Sequence, residues 1–142
     1  MSDAAISIRR AAPTDVAAIL DLWRRADAYP SVTDTPHDVE RVVGAPHAAV
    51  FVATGDGGEL VGSLIATFDG WRGNVYRMAV DPRERRRGVG LALAAAAEEW
   101  LHAAGARRLT ALVTGDDARA RAFWEAAGFE LYAGMVRYAK NA

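Results

Sequence analysis

The sequence predicts an α/β (α+β) domain built on one mixed sheet, and three observations carry that prediction. Apolar, β-branched runs at 48–54, 59–68 and 74–80 are joined by short glycine-rich connections, the pattern of an antiparallel meander. An alanine-rich segment at 89–104 has the length of a long helix and is followed by a further apolar run at 107–113. A strand reached through such a crossover should return parallel to 74–80.

The elements follow in order. "AISIRRA" (5–11) alternates apolar and polar residues like a first strand. Pro13 and Thr14 then mark the start of "DVAAILDLWRRAD", in which Val16, Ile19, Leu20 and Trp23 recur at helical spacing. Pro30 and the turn formers of "AYPSVTDT" end that helix. Thr35 before Pro36 reads as an N-cap and first helical position, and "HDVERVV" closes a short second helix at Gly44. The turns "GDGG" and "DGWRG" separate the three meander strands, and Gly105 stops the long helix. "DDARARAFWEAAG" (116–128) reads as a last helix, with carboxylates at its positive end and Gly128 at its stop. "FELYA" and "MVRYAK" are expected to form a final strand pair around Gly134. Residues 1–142 show no repeat or linker and read as a single domain.

Composition removes several function classes. Half the residues, 51%, are hydrophobic and 25% are charged, the balance of a globular domain with its own core. The formal charge of -1 provides no general positive field for nucleic acid. Cysteine is absent, which excludes disulfides, thiolate catalysis and zinc–thiolate sites. His37, His47 and His102 show no metal-ligand spacing, so no metal is expected. No apolar run is long enough to cross a membrane and "MSDAAISIRR" lacks an apolar signal core, so a cytoplasmic protein that binds neither membrane nor nucleic acid is expected.

The chemistry concentrates in "RERRRGVGLALAAAA" (83–97), between a strand and a helix. At such a junction the free amides and dipole of the helix N-terminus favour an anion, and Gly88 and Gly90 let it approach the backbone. A dinucleotide fingerprint would need glycine at 93, where Leu93 stands, and a Walker loop would need Gly-Lys-Ser or Gly-Lys-Thr. A nucleic-acid patch and a solvated arginine turn are the other readings of the loop taken alone.

Its surroundings narrow the choice. "VYRMAVDPRERRRGVGLALAAAAEEWL", followed by "ARAFWEAAGFE", resembles the GNAT superfamily of acyl-CoA-dependent N-acetyltransferases. Arg85, Gly88 and Gly90 fill the R/Q-x-x-G-x-G/A positions of one family motif, and Gly128 and Phe129 end the second. The resemblance implies the GNAT fold: a mixed sheet of six to seven strands with about four helices, splayed between strands 74–80 and 107–113. The turn "FDGWRG" is also similar to that of a bacterial YpeA-like subgroup.

The resemblance further implies acetyl-CoA as acyl donor, with no metal. The loop Arg85, Arg86, Arg87, Gly88, Val89 and Gly90 would hold the pyrophosphate and 3′-phosphate. The pantetheine arm would run beside Met78, Ala79 and Val80, with Asp117, Ala120 and Trp124 flanking it. The Val80 N–H would polarise the thioester carbonyl. Asn74 stands where some members carry a glutamate base, and it cannot take a proton. Trp124 stands where a tyrosine often protonates the leaving thiolate, so Tyr132, Tyr138, Tyr76 or solvent would have to supply that proton. Trp71, Arg72, Asn74 and Tyr76 are the candidate contacts for a small-molecule or peptide amine. A homodimer is expected from the habits of such proteins. The competing expectation is a non-catalytic acyl-CoA-binding module.

Overall fold

A computed structural model describes residues 5–114 and 117–142. Its sheet is assembled in chain order from β1 (Ser7–Arg10), β2 (Ala48–Thr54), β3 (Leu60–Phe68), β4 (Gly73–Val80) and β5 (Leu109–Ala111). The first four run antiparallel and β5 lies parallel to β4, as the helical crossover requires. The helices are α1 (Val16–Arg25), α2 (Pro36–Gly44), α3 (Val89–Ala104) and α4 (Ala118–Ala126).

Two apolar layers cover the sheet. Ile19, Leu22 and Trp23 of α1 and Val39 of α2 pack on Val50, Val52 and Ile65 on one face. Leu93, Ala97 and Leu101 of α3 and Trp124 of α4 pack on Phe51, Leu64 and Val75 on the other. The alternation along β2 and β3 divides these residues between the two faces. The caps act where the sequence places them. The Thr35 hydroxyl accepts from the Asp38 amide at 3.1 Å, and Gly105 ends α3 with φ of 105°.

Two expectations about the sheet need correction. Among the described residues it has five strands, because "FELYA" and "MVRYAK" form no strand pair and most of 130–142 is exposed. Their alternating pattern suits a strand, but a strand also requires a partner edge, and β5 is only three residues long. The run at 107–113 is a strand only over Leu109–Ala111. The helix expected from 116 begins at Ala118, capped by the Asp117 carboxylate, which accepts from the Ala120 amide at 3.0 Å. Asp116 lies outside the described residues.

β4 positions the site through one irregularity. β3 and β4 shift register between Ser63 and Ile65, which face Ala79 and Tyr76, so β4 carries an extra residue at Arg77–Met78. Arg77 adopts φ of 58°, left-handed for a side chain that rarely takes it. Its carbonyl accepts from the Ser63 hydroxyl at 3.4 Å, and that hydroxyl accepts from the Trp23 indole at 2.9 Å. Its guanidinium bonds Asp34 at 2.7 Å and sits 4.9 Å from the Trp23 ring centre. These contacts hold a backbone conformation that costs about 1–3 kcal/mol on its own. A bulge also bends and twists its strand. β4 and β5 accordingly pair only at Gly73, Asn74 and Val75, and no described strand lies beside Tyr76–Val80 on that side.

Candidate functional site

The loop after β4 is fixed by a buried carboxylate. Asp81, 4% exposed, accepts from the Arg83 amide at 3.0 Å, starting a short 3-10 turn over Pro82–Glu84. Its other oxygen receives Arg25 from the end of α1 at 2.7 Å and Arg83 at 3.5 Å. The Arg83 amide first, then the Arg83 and Arg25 side chains, hold the Asp81 carboxyl below the usual carboxylate range against the cost of burial. Arg25 is raised in turn, chiefly by Asp21 and then by Asp81. Arg85 reaches the Ala26 carbonyl at the end of α1 at 3.5 Å, and Arg87 bonds Glu84 at 2.7 Å. The loop is thereby tied to α1 before the long helix begins.

α3 opens on Gly88 with φ of 80° and no side-chain cap. The first amides of the helix have no intrahelical partner, and with the positive end of the dipole they form a site suited to phosphate. The two glycines serve different needs. Gly88 supplies the left-handed turn, and a Cβ there would meet nothing within 4 Å. A Cβ on Gly90 would lie 2.9 Å from the Phe123 ring, so Gly90 is required by the packing of α4 on α3.

One open groove of about 2780 Å³ runs from this loop along the splay, larger in volume than a single small-molecule pocket. Arg85, Arg86, Gly88, Val89 and Gly90 line its loop end. Met78, Ala79 and Val80 line the next stretch, with Asp117, Ala120 and Trp124 of the α4 region in the same lining. Ala79 faces β3 in register with Ser63, and the Asp81 amide donates to Val61. Strand alternation therefore turns the backbone groups of Met78 and Val80 to the edge that β5 leaves open. An extended chain can add there as a strand does.

Trp124 is 6% exposed and packed edge-on between Phe123 and Phe129, at ring-centre distances of 5.0 and 4.9 Å. It serves as a wall and core residue, and an indole is no useful proton source. Arg72, Tyr76 and Tyr132 line the far part of the groove. The Tyr76 hydroxyl and Thr67 hydroxyl lie 3.0 Å apart, and Tyr132 lies under Arg108. Arg87, Trp71, Asn74 and Tyr138 are not in that lining, and Tyr138 is 93% exposed. The sequence reading missed Asp81, Arg25, Arg77 and Arg108. An Asp-Pro pair before the arginines signals the first; nothing local signals the others, which act across 43 or more positions or through strand register.

Comparisons with known proteins identify the family and the fold. The Acetyltransferase (GNAT) family pattern matches residues 16–129. An acetyltransferase of Sodalis glossinidius is 29% identical over 127 residues, covering 89% of each chain. One from Pectobacterium atrosepticum is 34% identical over 103 residues, 72% of each. Among solved structures, an aminoglycoside N-acetyltransferase in complex with CoA superposes with a TM-score of 0.80 at 23% identity, covering 99% of this chain and 98% of that one. A 6′-N-acetyltransferase of Acinetobacter baumannii gives 0.81 at 19% identity, with coverage of 97% and 99%. At those identities the likeness is one of fold.

Proposed function

Because the chain belongs to the GNAT acetyltransferase family and is an acetyl-CoA-dependent acetyltransferase, we propose that it transfers acetyl directly to a primary amine of a small molecule or peptide. The observation that carries this reading is the splay: β4 stops pairing with β5 at Val75, just below the backbone edge of Met78 and Val80. In this reading the amides of Gly88, Val89 and Gly90 hold the diphosphate, and Arg85 and Arg86 attract the remaining phosphate charge. Arg87 acts through Glu84, holding the loop. The pantetheine arm pairs with Met78 and Val80, beside Ala79, Asp117 and Ala120.

The neutral amine nitrogen attacks the thioester carbonyl, whose oxygen is polarised by the Val80 N–H. The new C–N bond forms as the C–S bond breaks. The amine proton passes to solvent, and the leaving thiolate takes one from solvent or from Tyr76 or Tyr132, both of which line the groove. Arg72 and Tyr76, which line the groove, are the acceptor contacts, with Trp71 and Asn74 beside them in the chain but outside the lining. The "FDGWRG" turn supports a place in the YpeA-like subgroup. Fold relatives named as aminoglycoside acetyltransferases support an amine acceptor. We place the enzyme in the cytoplasm, where acetyl-CoA is found, as a homodimer. The exposed Leu131, Met135 and Val136 support the dimer, which sedimentation reads directly.

The test is thiol release from acetyl-CoA with a broad amine panel. Turnover that falls about tenfold or more in Arg85→Gln and Gly88→Val supports the reading. Tight CoA binding with no turnover of any amine overturns it.

A further inference from the structure

The acceptor end of the groove holds two arginines that form no ion pair among the described residues, although the Asp69 carboxylate lies close enough to feel the Arg72 charge. The Gly73 amide donates to the Arg108 carbonyl at 2.9 Å, so Arg72 and Arg108 stand side by side where β4 and β5 begin. Each guanidinium lies over an aromatic ring, Arg72 at 4.2 Å from the Trp71 ring centre and Arg108 at 4.9 Å from that of Tyr132. Neither forms an ion pair among the described residues, whereas Arg9, Arg24, Arg25, Arg77, Arg83 and Arg87 all do. Both line the groove. A stacked guanidinium keeps its edge donors available in a fixed plane, the geometry that suits a carboxylate or phosphate.

The turn that presents Arg72 is rigid. Asp69 Oδ1 accepts from the Trp71 amide at 2.8 Å and from the Arg72 amide at 2.7 Å. That carboxylate is thus occupied with the backbone, which holds it below the usual range through the Arg72 amide first and the Trp71 amide second. Gly73 and Val75 face the α3 layer, as do Leu109 and Ala111. Strand alternation therefore sets Asn74 and Tyr76 of β4, and Thr110 of β5, on the opposite face, and Arg72 and Arg108 immediately precede the two strands. This polar column leads from the splay to the two arginines.

We propose that Arg72 and Arg108 grip an anionic group of the acceptor, so that the substrate is an amine that also bears a carboxylate or phosphate, not a polycation. The proposal rests on the acetyltransferase reading and adds the substrate class. Asp69 is then a positioning residue for Arg72.

The experiment compares matched acceptors on the full-length enzyme: amino acids against their carboxamides, 2-aminoethyl phosphate against ethanolamine, and an aminoglycoside. At least one acid is expected to exceed its neutral partner about tenfold in kcat/KM, and the amino acid and phosphate arms show which anion is used. Arg72→Gln and Arg108→Gln should each close most of that gap through KM, leaving the KM for acetyl-CoA within about twofold, with Arg72→Lys intermediate. Preference for the carboxamides or the aminoglycoside, or an undiminished gap in both glutamine variants, overturns the proposal. If no amine is turned over, the transferase reading fails separately, and N-acetyl amino acids binding CoA-loaded protein no more tightly than their amides then overturns the anion site as well.

Discussion

The two ends of the groove are built differently. At the donor end, Asp81, Glu84, Arg85 and Gly88 lie within eight positions of one another, and the site is mostly backbone: a turn, a left-handed glycine and the uncapped start of α3. At the acceptor end, Arg72 and Arg108 are brought together only by strand register, and their supports are the exposed rings of Trp71 and Tyr132. A site of the first kind recognises something constant through amides that every sequence possesses. A site of the second kind is made of side chains on turns and edges, which can change without disturbing the core.

The sharpest contrast lies between two tryptophans. Trp124→Ala should cost about 3–5 kcal/mol, because a buried indole between two phenyl rings leaves a cavity. Trp71→Ala, on a ring 73% exposed, should stay within about 0.5 kcal/mol. Urea unfolding of the two variants reads both values, and equal losses would break the distinction. Next in size, Gly88→Val should lower kcat/KM for acetyl-CoA about hundredfold, near 2.7 kcal/mol, by straining the left-handed turn that presents the α3 amides. Arg85→Gln should raise the KM for acetyl-CoA about tenfold, near 1.4 kcal/mol, with a smaller effect on kcat.

The smallest effect concerns pH. The folded Asp81 carboxyl lies below its unfolded value near 3.9, so its contribution is fully present above that value. It is lost as pH falls through the lower folded value. Asp81→Asn should flatten that acid limb of the stability profile, where Asp15, held low chiefly by Arg9, continues to act. An unchanged limb would detach Asp81 from the loop's stability.

Much of the fold was legible because local patterns and tertiary packing agree. The three meander strands, the Thr35 cap and the Gly105 stop lie where their residues suggested. The final strands were misread because alternation in "MVRYAK" states a preference for a strand, and pairing depends on an edge elsewhere in the chain. The bulge at Arg77 was invisible for a related reason: nothing in "NVYRMAV" marks a left-handed arginine, which Ser63, Asp34 and Trp23 hold from 14 to 54 positions away. The donor loop was readable from its glycines and arginines. Even there the need for Gly90 comes from Phe123, which only packing reveals.

The most direct test of the account follows backbone amide resonances of the full chain while CoA is added. The amides of Gly88, Val89, Gly90, Met78 and Val80 should shift together and saturate with one affinity, while those of Trp71 and Arg72 stay nearly still. Saturation that moves the Trp71–Arg72 turn and leaves the α3 amides in place would contradict it.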